Sequence, residues 1–137
     1  MNYWLIKSEP FKYSWDQFVN DKETFWDGVR SYSARIFLKE MKVGDHAFFY
    51  HSNEGLAIVG IAEVVREHYQ DPTTTEDWVA VNVKPVRALR QVVTLKQMKA
   101  VTALSEMKLI KIGRLSVSPV TKQEWKVILA LEKESKH

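Results

Sequence analysis

The chain has 137 residues, the length of one domain, and its 45% apolar and 27% charged residues exclude a disordered chain. No apolar run approaches the ~20 residues that span a bilayer, and the absence of cysteine excludes disulfides, cysteine nucleophiles and thiolate metal sites. Net charge is +3, but residues 1–85 carry 9 Lys+Arg against 13 Asp+Glu while residues 86–137 carry 11 against 4, so the basic end suits an anionic partner.

Tyr3 to Lys7 reads as a buried strand ending at Ser8-Glu9-Pro10, where Pro10 turns Glu9 away from helix. Ser14-Trp15-Asp16-Gln17 has capping-box spacing, with Gln17 reaching back and Tyr13 and Phe18 as the hydrophobic staple. The short helix that follows ends near Asn20-Asp21. Residues 25–33 lack a period and read as a loop. A second helix carries Ala34, Phe37, Leu38 and Met41 at helical spacing.

Val43-Gly44-Asp45 turns the chain into a strand from His46 to Tyr50. Ala57 to Val65 is nearly continuous apolar sequence and reads as a central strand covered on both faces. Residues 66–77 read as a polar loop, and Trp78 to Lys84 as a strand with Val79, Val81 and Val83 on one face. Thr94-x-x-Gln97 and Thr121-x-x-Glu124 repeat the capping box, with Val93/Met98 and Val120/Trp125 as staples. The second opens a C-terminal helix through Leu131. Before it, Arg114 to Pro119 reads as the last strand, closed by Pro119. No repeat or linker interrupts the chain, so residues 1–137 are expected to form one domain, and a monomer. The fold class expected is α+β, a mixed or antiparallel sheet curled into a small barrel and flanked by short helices. The N-terminus enters the first strand with no basic leader, which points to the cytoplasm, or the nucleus in a eukaryote.

Polar groups concentrate in four segments: Lys7-Ser8-Glu9-Pro10, Trp26-Asp27-Gly28-Val29-Arg30, Tyr50-His51-Ser52-Asn53 and Arg114-Leu115-Ser116. If strands 3–7, 46–50 and 114–118 are neighbours, three of these segments meet at one rim. Trp26 has two readings, a loop indole folded onto the core or a flat platform beside Gly28, where backbone approaches a ligand closely. Arg30 and Arg35 are surface ion-pair residues or holders of phosphates and bases. Ser8, Glu9 and His51 imitate the nucleophile, orienter and base of a small serine hydrolase, but Ser8 lacks the Gly-x-Ser-x-Gly elbow. Thr73-Thr74-Thr75 reads as a solvated loop. Five glycines supply neither a phosphate-binding loop nor a dinucleotide fingerprint. Four widely spaced histidines offer no zinc site, so neither metal nor cofactor is expected.

Five collinear blocks carry a resemblance: Tyr-Trp-Leu-Ile-Lys-Ser-Glu-Pro (3–10), Trp-Asp-Gly-Val-Arg-x-Tyr-x-Ala-Arg (26–35), Met-Lys-Val-Gly-Asp (41–45), Phe-Phe-Tyr-His-Ser-Asn (48–53) and Gly-Arg-Leu-Ser-Val-x-Pro-Val (113–120). Together they resemble the EVE domain family, of the PUA-like group and similar in fold to the YTH readers of methylated adenine in RNA. The resemblance implies a compact barrel, a pocket for a modified base, and DNA containing 5-methylcytosine or its oxidised forms as ligand. By position, Lys7, Ser8 and Glu9 look like the pocket floor, Trp26 an aromatic wall, Tyr50, His51 and Ser52 the opposite rim, and Leu115 and Ser116 further lining. Val29 and Leu115 are candidates for a methyl slot. Arg30 and Arg35 would contact phosphates together with the basic C-terminal segment (Arg87, Arg90, Lys96, Lys99, Lys108, Lys111, Arg114), and Tyr32 joins the binding set. Ser31 and Ile36 depart from the family pattern, which commonly has Asn at both. The expected function is a non-enzymatic reader that flips a modified base into an aromatic pocket, in DNA or else in RNA.

Overall fold

The computed structural model describes residues 1–53, 55–112 and 114–133. Gly113, in the last sequence block, lies outside the described residues. The elements in chain order are β1 (Tyr3–Ser8), α1 (Trp15–Asp21), β2 (Thr24–Trp26), α2 (Tyr32–Glu40), β3 (His46–His51), β4 (Ala57–Gln70), β5 (Val79–Thr94), α3 (Leu95–Lys99), a 3-10 turn (Thr102–Leu104), α4 (Lys108–Lys111), β6 (Val117–Val120) and α5 (Lys122–Lys133). The six strands form one sheet in the order β2-β5-β4-β3-β1-β6. β1 runs parallel to β3 and antiparallel to β6, and the remaining pairs are antiparallel. The condition that would bring three polar segments to one rim is met: β3, β1 and β6 are adjacent, with β1 in the middle.

Strand alternation gives the sheet two cores. On one side Trp4, Ile6, Ala47, Phe49, Val64, Val79, Val81 and Val83 pack with Trp15 and Phe18 of α1 and Ala34 and Leu38 of α2. On the other, Leu5, Phe48, Tyr50, Ile58, Leu89 and Val93 pack with Met98 of α3, Leu109 of α4 and Trp125 and Ile128 of α5. Helix α2 touches β6 at one edge and both β4 and β5 toward the other. The sheet curls around it, barrel-like, with its hydrogen-bonded ladder left open between β2 and β6.

Several local expectations hold. Thr94 and Gln97 form a reciprocal capping box, as do Thr121 and Glu124. Others change. Ser14 caps α1, but the Gln17 side chain donates to Asp21 instead of reaching back. Phe25 and Trp26 are not loop but strand, paired with Asn82 and Val81 of β5. Residues 66–70 extend β4, and β5 continues past Lys84 to Thr94; bulges bend this long two-stranded ribbon. Pro119 does not close β6; it lies inside the strand opposite Trp4, on a sheet edge where a missing N–H is tolerated.

One glycine fixes how closely α1 approaches the sheet. A Cβ at Gly60 would lie 2.5 Å from the Trp15 indole, which also meets Phe18 and Phe49 edge-on. Gly60→Ala should therefore destabilise the fold by about 1–3 kcal/mol through overpacking. Urea denaturation checks this, and an unchanged midpoint would show that the indole moves freely.

Candidate nucleic-acid interface

The ends of β1, β3 and β6 are stitched together on the α1 side of the sheet. The Lys7 amide donates to the Ser116 carbonyl at 3.0 Å, and the Ser52 amide to the Ser8 carbonyl at 2.9 Å. Pro10 follows Glu9 and the chain turns at once. The amides of Lys12 and Tyr13 both donate to the Glu9 carbonyl at 2.9 Å. Side chains close the same corner. Ser8 Oγ donates to the Tyr13 carbonyl, Asn53 Nδ2 donates to Glu9 Oε1, and Lys12 pairs with Glu9 at 3.2 Å.

The facing wall is the 26–30 segment. Gly28 has φ +74, a conformation glycine enters without penalty, and its amide donates to Asp71 Oδ2 at 2.9 Å. Arg30 Nη1 donates to the same oxygen at 3.0 Å, and the Thr73 amide and hydroxyl donate to Oδ1. The Asp71 side chain has no solvent exposure. Burial alone would raise its pKa, but the bonds from Thr73, Gly28 and Arg30 outweigh burial and hold the carboxyl well below the usual carboxylate range.

Between these walls lies a cavity of about 760 Å³, within the ~300–1,000 Å³ typical of small-ligand pockets. Of the expected site residues, Lys7, Ser8, Glu9, Trp26, Val29, Arg30, Ser52 and Ser116 line it. Trp26 is 9% exposed, with Tyr13 and Phe49 edge-on to its indole at 6.1 and 5.6 Å, and it also lines the hollow. Lys12, Tyr13, Phe25 and Arg114 also contribute. Burial first, and then the Asp21 carboxylate, push the Tyr13 hydroxyl up to about 12, so it stays protonated. Burial lowers the Lys7 pKa. The lining holds four cations (Lys7, Lys12, Arg30, Arg114) and two carboxylates (Glu9, Asp27).

Five expected residues are elsewhere. Tyr50 is buried in the core on the opposite side of the sheet. Leu115 is buried beneath the cavity side without lining it. Tyr32 and Arg35 lie on α2, where the Arg35 guanidinium stands over the Tyr32 and Trp78 rings at 5.2 and 5.0 Å and bonds to Asp77. His51 Nε2 accepts from the Trp15 amide at 3.1 Å, so this imidazole is the neutral Nδ1–H tautomer. Its pKa is lowered, by burial. Ser8 and His51 thus bond to separate backbone groups and not to each other, so they do not form the nucleophile–base pair of a serine hydrolase. The basic helices α3 and α4 pack on the second core, away from the cavity, and Arg87 pairs with Glu132 at 2.7 Å. The two departures from the family pattern also avoid the cavity: Ser31 caps α2 by accepting from the Ala34 amide, and Ile36 is exposed on that helix.

Comparison with family profiles matches the EVE domain over residues 2–131. The chain belongs to the EVE domain family. It is 38% identical to mouse (Mus musculus) thymocyte nuclear protein 1 over 96% of this chain and 74% of that protein. Among solved structures, a protein from Rhodopseudomonas palustris is 46% identical with a TM-score of 0.93, covering 100% of this chain and 97% of that one. The human THYN1 protein in complex with DNA containing 5-methylcytosine is 33% identical with a TM-score of 0.93, covering 99% and 100%. In this EVE domain no described helix is long and apolar enough to cross a membrane.

Asp71→Asn should cost about 1.5–3 kcal/mol at pH 7, the range for hydrogen bonds to a charged group. The folded pKa is depressed, so the Asp71 contribution is complete above the unfolded value of ~3.9 and is lost on acidification below it. Urea melts from pH 7 to pH 3 should show the gap between wild type and variant narrowing below pH ~4. A constant gap would contradict the clamp.

Proposed function

We propose that this EVE domain is a non-enzymatic reader of a modified cytosine in DNA. The observation that carries the reading is one hollow lined together by Trp26, by Ser8, Ser52 and Ser116 and by four cations. It is supported by a fold shared at TM-score 0.93 with a human protein in complex with DNA containing 5-methylcytosine.

A base inside a duplex cannot enter such a hollow, so it must be extruded, at a cost of a few kcal/mol. Stacking on an aromatic side chain returns ~1–3 kcal/mol. Phosphate contacts supply the remainder, and Lys12 and Arg114 are the lining cations that can follow a strand out of the mouth. The methyl slot falls to Val29, since Leu115 does not reach the cavity.

Ser8 adds direction. Its proton goes to the Tyr13 carbonyl, so towards a ligand its oxygen can only accept. The cytosine N4 amine donates, whereas thymine presents an accepting O4 at the same position. A 5-methylcytosine therefore satisfies Ser8 and thymine does not, although both carry the methyl group.

Fluorescence titrations with matched duplexes test the reading. A 5-methylcytosine duplex should bind roughly 10–200-fold more tightly than the unmodified one, the range one methyl provides. Trp26→Phe should weaken both, Ser8→Ala should erode the preference over thymine, and added salt should weaken binding steeply. Equal affinity for modified and unmodified duplexes would refute it. Tighter binding to RNA carrying the same base would move the ligand class to RNA.

A further inference from the structure

The reader described above leaves one physical problem unsolved. An extruded nucleotide leaves a gap in the base stack, and the cavity has no means of filling it from within. We infer that Phe11 is an apolar wedge that enters this gap, an inference that rests on the base-reading role of the cavity.

Phe11 is 81% exposed, and no aromatic partner of its ring is found among the described residues. A lone exposed phenyl is ordinary on a protein surface; its position is not. It occupies the turn between Glu9 and Tyr13, both of which line the cavity, and its neighbour Lys12 lines it too. Adjacent Cα atoms are only ~3.8 Å apart, so the phenyl is carried on the rim itself.

The turn is held in several ways. Pro10 fixes its own φ, the Lys12 and Tyr13 amides converge on the Glu9 carbonyl, Ser8 fastens the Tyr13 carbonyl, and Lys12 pairs with Glu9. A phenyl on a stiff rim loses little freedom on insertion. Phe side chains are among the wedges by which proteins part base steps, and the exposed Lys12 ammonium next to it is placed for the phosphate flanking the parted step.

Phe25 is the internal control. It is also exposed, at 48%, but lines the cavity beside Trp26. A lining phenyl touches the ligand whether or not a duplex surrounds it. A wedge acts only where a stack has been opened.

The test compares a 5-methylcytosine duplex with a single strand of the same sequence. Phe11→Ala should weaken duplex binding roughly ten- to hundredfold, the scale of one lost aromatic stack, and leave the single strand within about twofold. Phe11→Trp should restore duplex affinity. Phe25→Ala should weaken both substrates alike. Thermal melts of the variants confirm folding, which the exposure of both side chains favours. Unchanged duplex binding by Phe11→Ala, or an equal loss on duplex and single strand, overturns the wedge while leaving the reader intact. Failure of the wild type to prefer the modified base on either substrate overturns the reader, and the wedge with it.

Discussion

The Asp71 carboxylate, sealed from solvent, holds the cavity open. It joins two pieces of chain 43 residues apart, taking the Gly28 amide on the oxygen that also receives the Arg30 guanidinium. Without it the 27–30 segment would carry a left-handed glycine and an unpaired guanidinium on a sheet edge. With it, that segment becomes a wall facing the ends of β1, β3 and β6. A buried carboxylate is tolerable only when its lone pairs are met, and here both oxygens are. The clamp also restrains a cation: Arg30 lines the cavity but reaches the ligand already charge-paired. Lys12 is paired too, with Glu9, but both ends of that pair reach solvent, so under the proposed function Arg30 would be a fixed dipole at the wall and strand contacts would fall to Lys12 and Arg114.

Sheet geometry then divides labour between the two faces. The α1 and α2 side carries the hollow; helices α3, α4 and α5, which bear Lys96, Lys99, Lys108, Lys111, Lys122, Lys126 and Lys133, pack on the other core. Apart from Arg114, the described C-terminal lysines and arginines are therefore not the footprint of the cavity. Arg87 serves the second core instead, forked onto the buried Glu132 at 2.7 Å through both terminal nitrogens. The pairing raises the Arg87 pKa and lowers that of Glu132, each through the other. It fixes α5 to β5 and makes the far face a structural base for the face that carries the hollow.

What could be read from the sequence was what the chain decides locally. Caps at Thr94 and Thr121 follow from short spacings, and β1, β3 and β4 from apolar runs; that β1 lies between β3 and β6 was a condition the sequence could pose but not decide. β2 could not be read, because its three residues are strand only by virtue of β5. The extensions of β4 and β5 escaped for a similar reason: both faces of that ribbon are partly exposed, so polar residues such as Arg66 and Glu67 erase the alternation. Within the 50–52 segment, strand alternation sends Tyr50 to the second core, the Trp15 amide occupies His51, and Ser52, past the end of β3, reaches the cavity. Asp71 gave no signal, since an aspartate before proline in a threonine-rich turn is indistinguishable from solvated loop until its distant partners are known. The resemblance located the blocks; only packing chose among the residues within each.

The hydrogen bonds that remain in the hollow bear on how such a site discriminates. Ser8, Glu9, Asn53 and Tyr13 are each engaged with protein before any ligand arrives. Their orientations are set in advance, so a base that fits does not have to order them. The same rigidity makes a wrong base expensive, because a committed acceptor cannot turn into a donor to meet it. An apolar slot for one methyl offers modest selectivity by itself, whereas a fixed acceptor left facing another acceptor adds an unpaired polar group to the cost. If the hollow reads a base as proposed, selectivity would come more from the turn that commits the Ser8 proton than from the aromatic wall, which would accept any flat base.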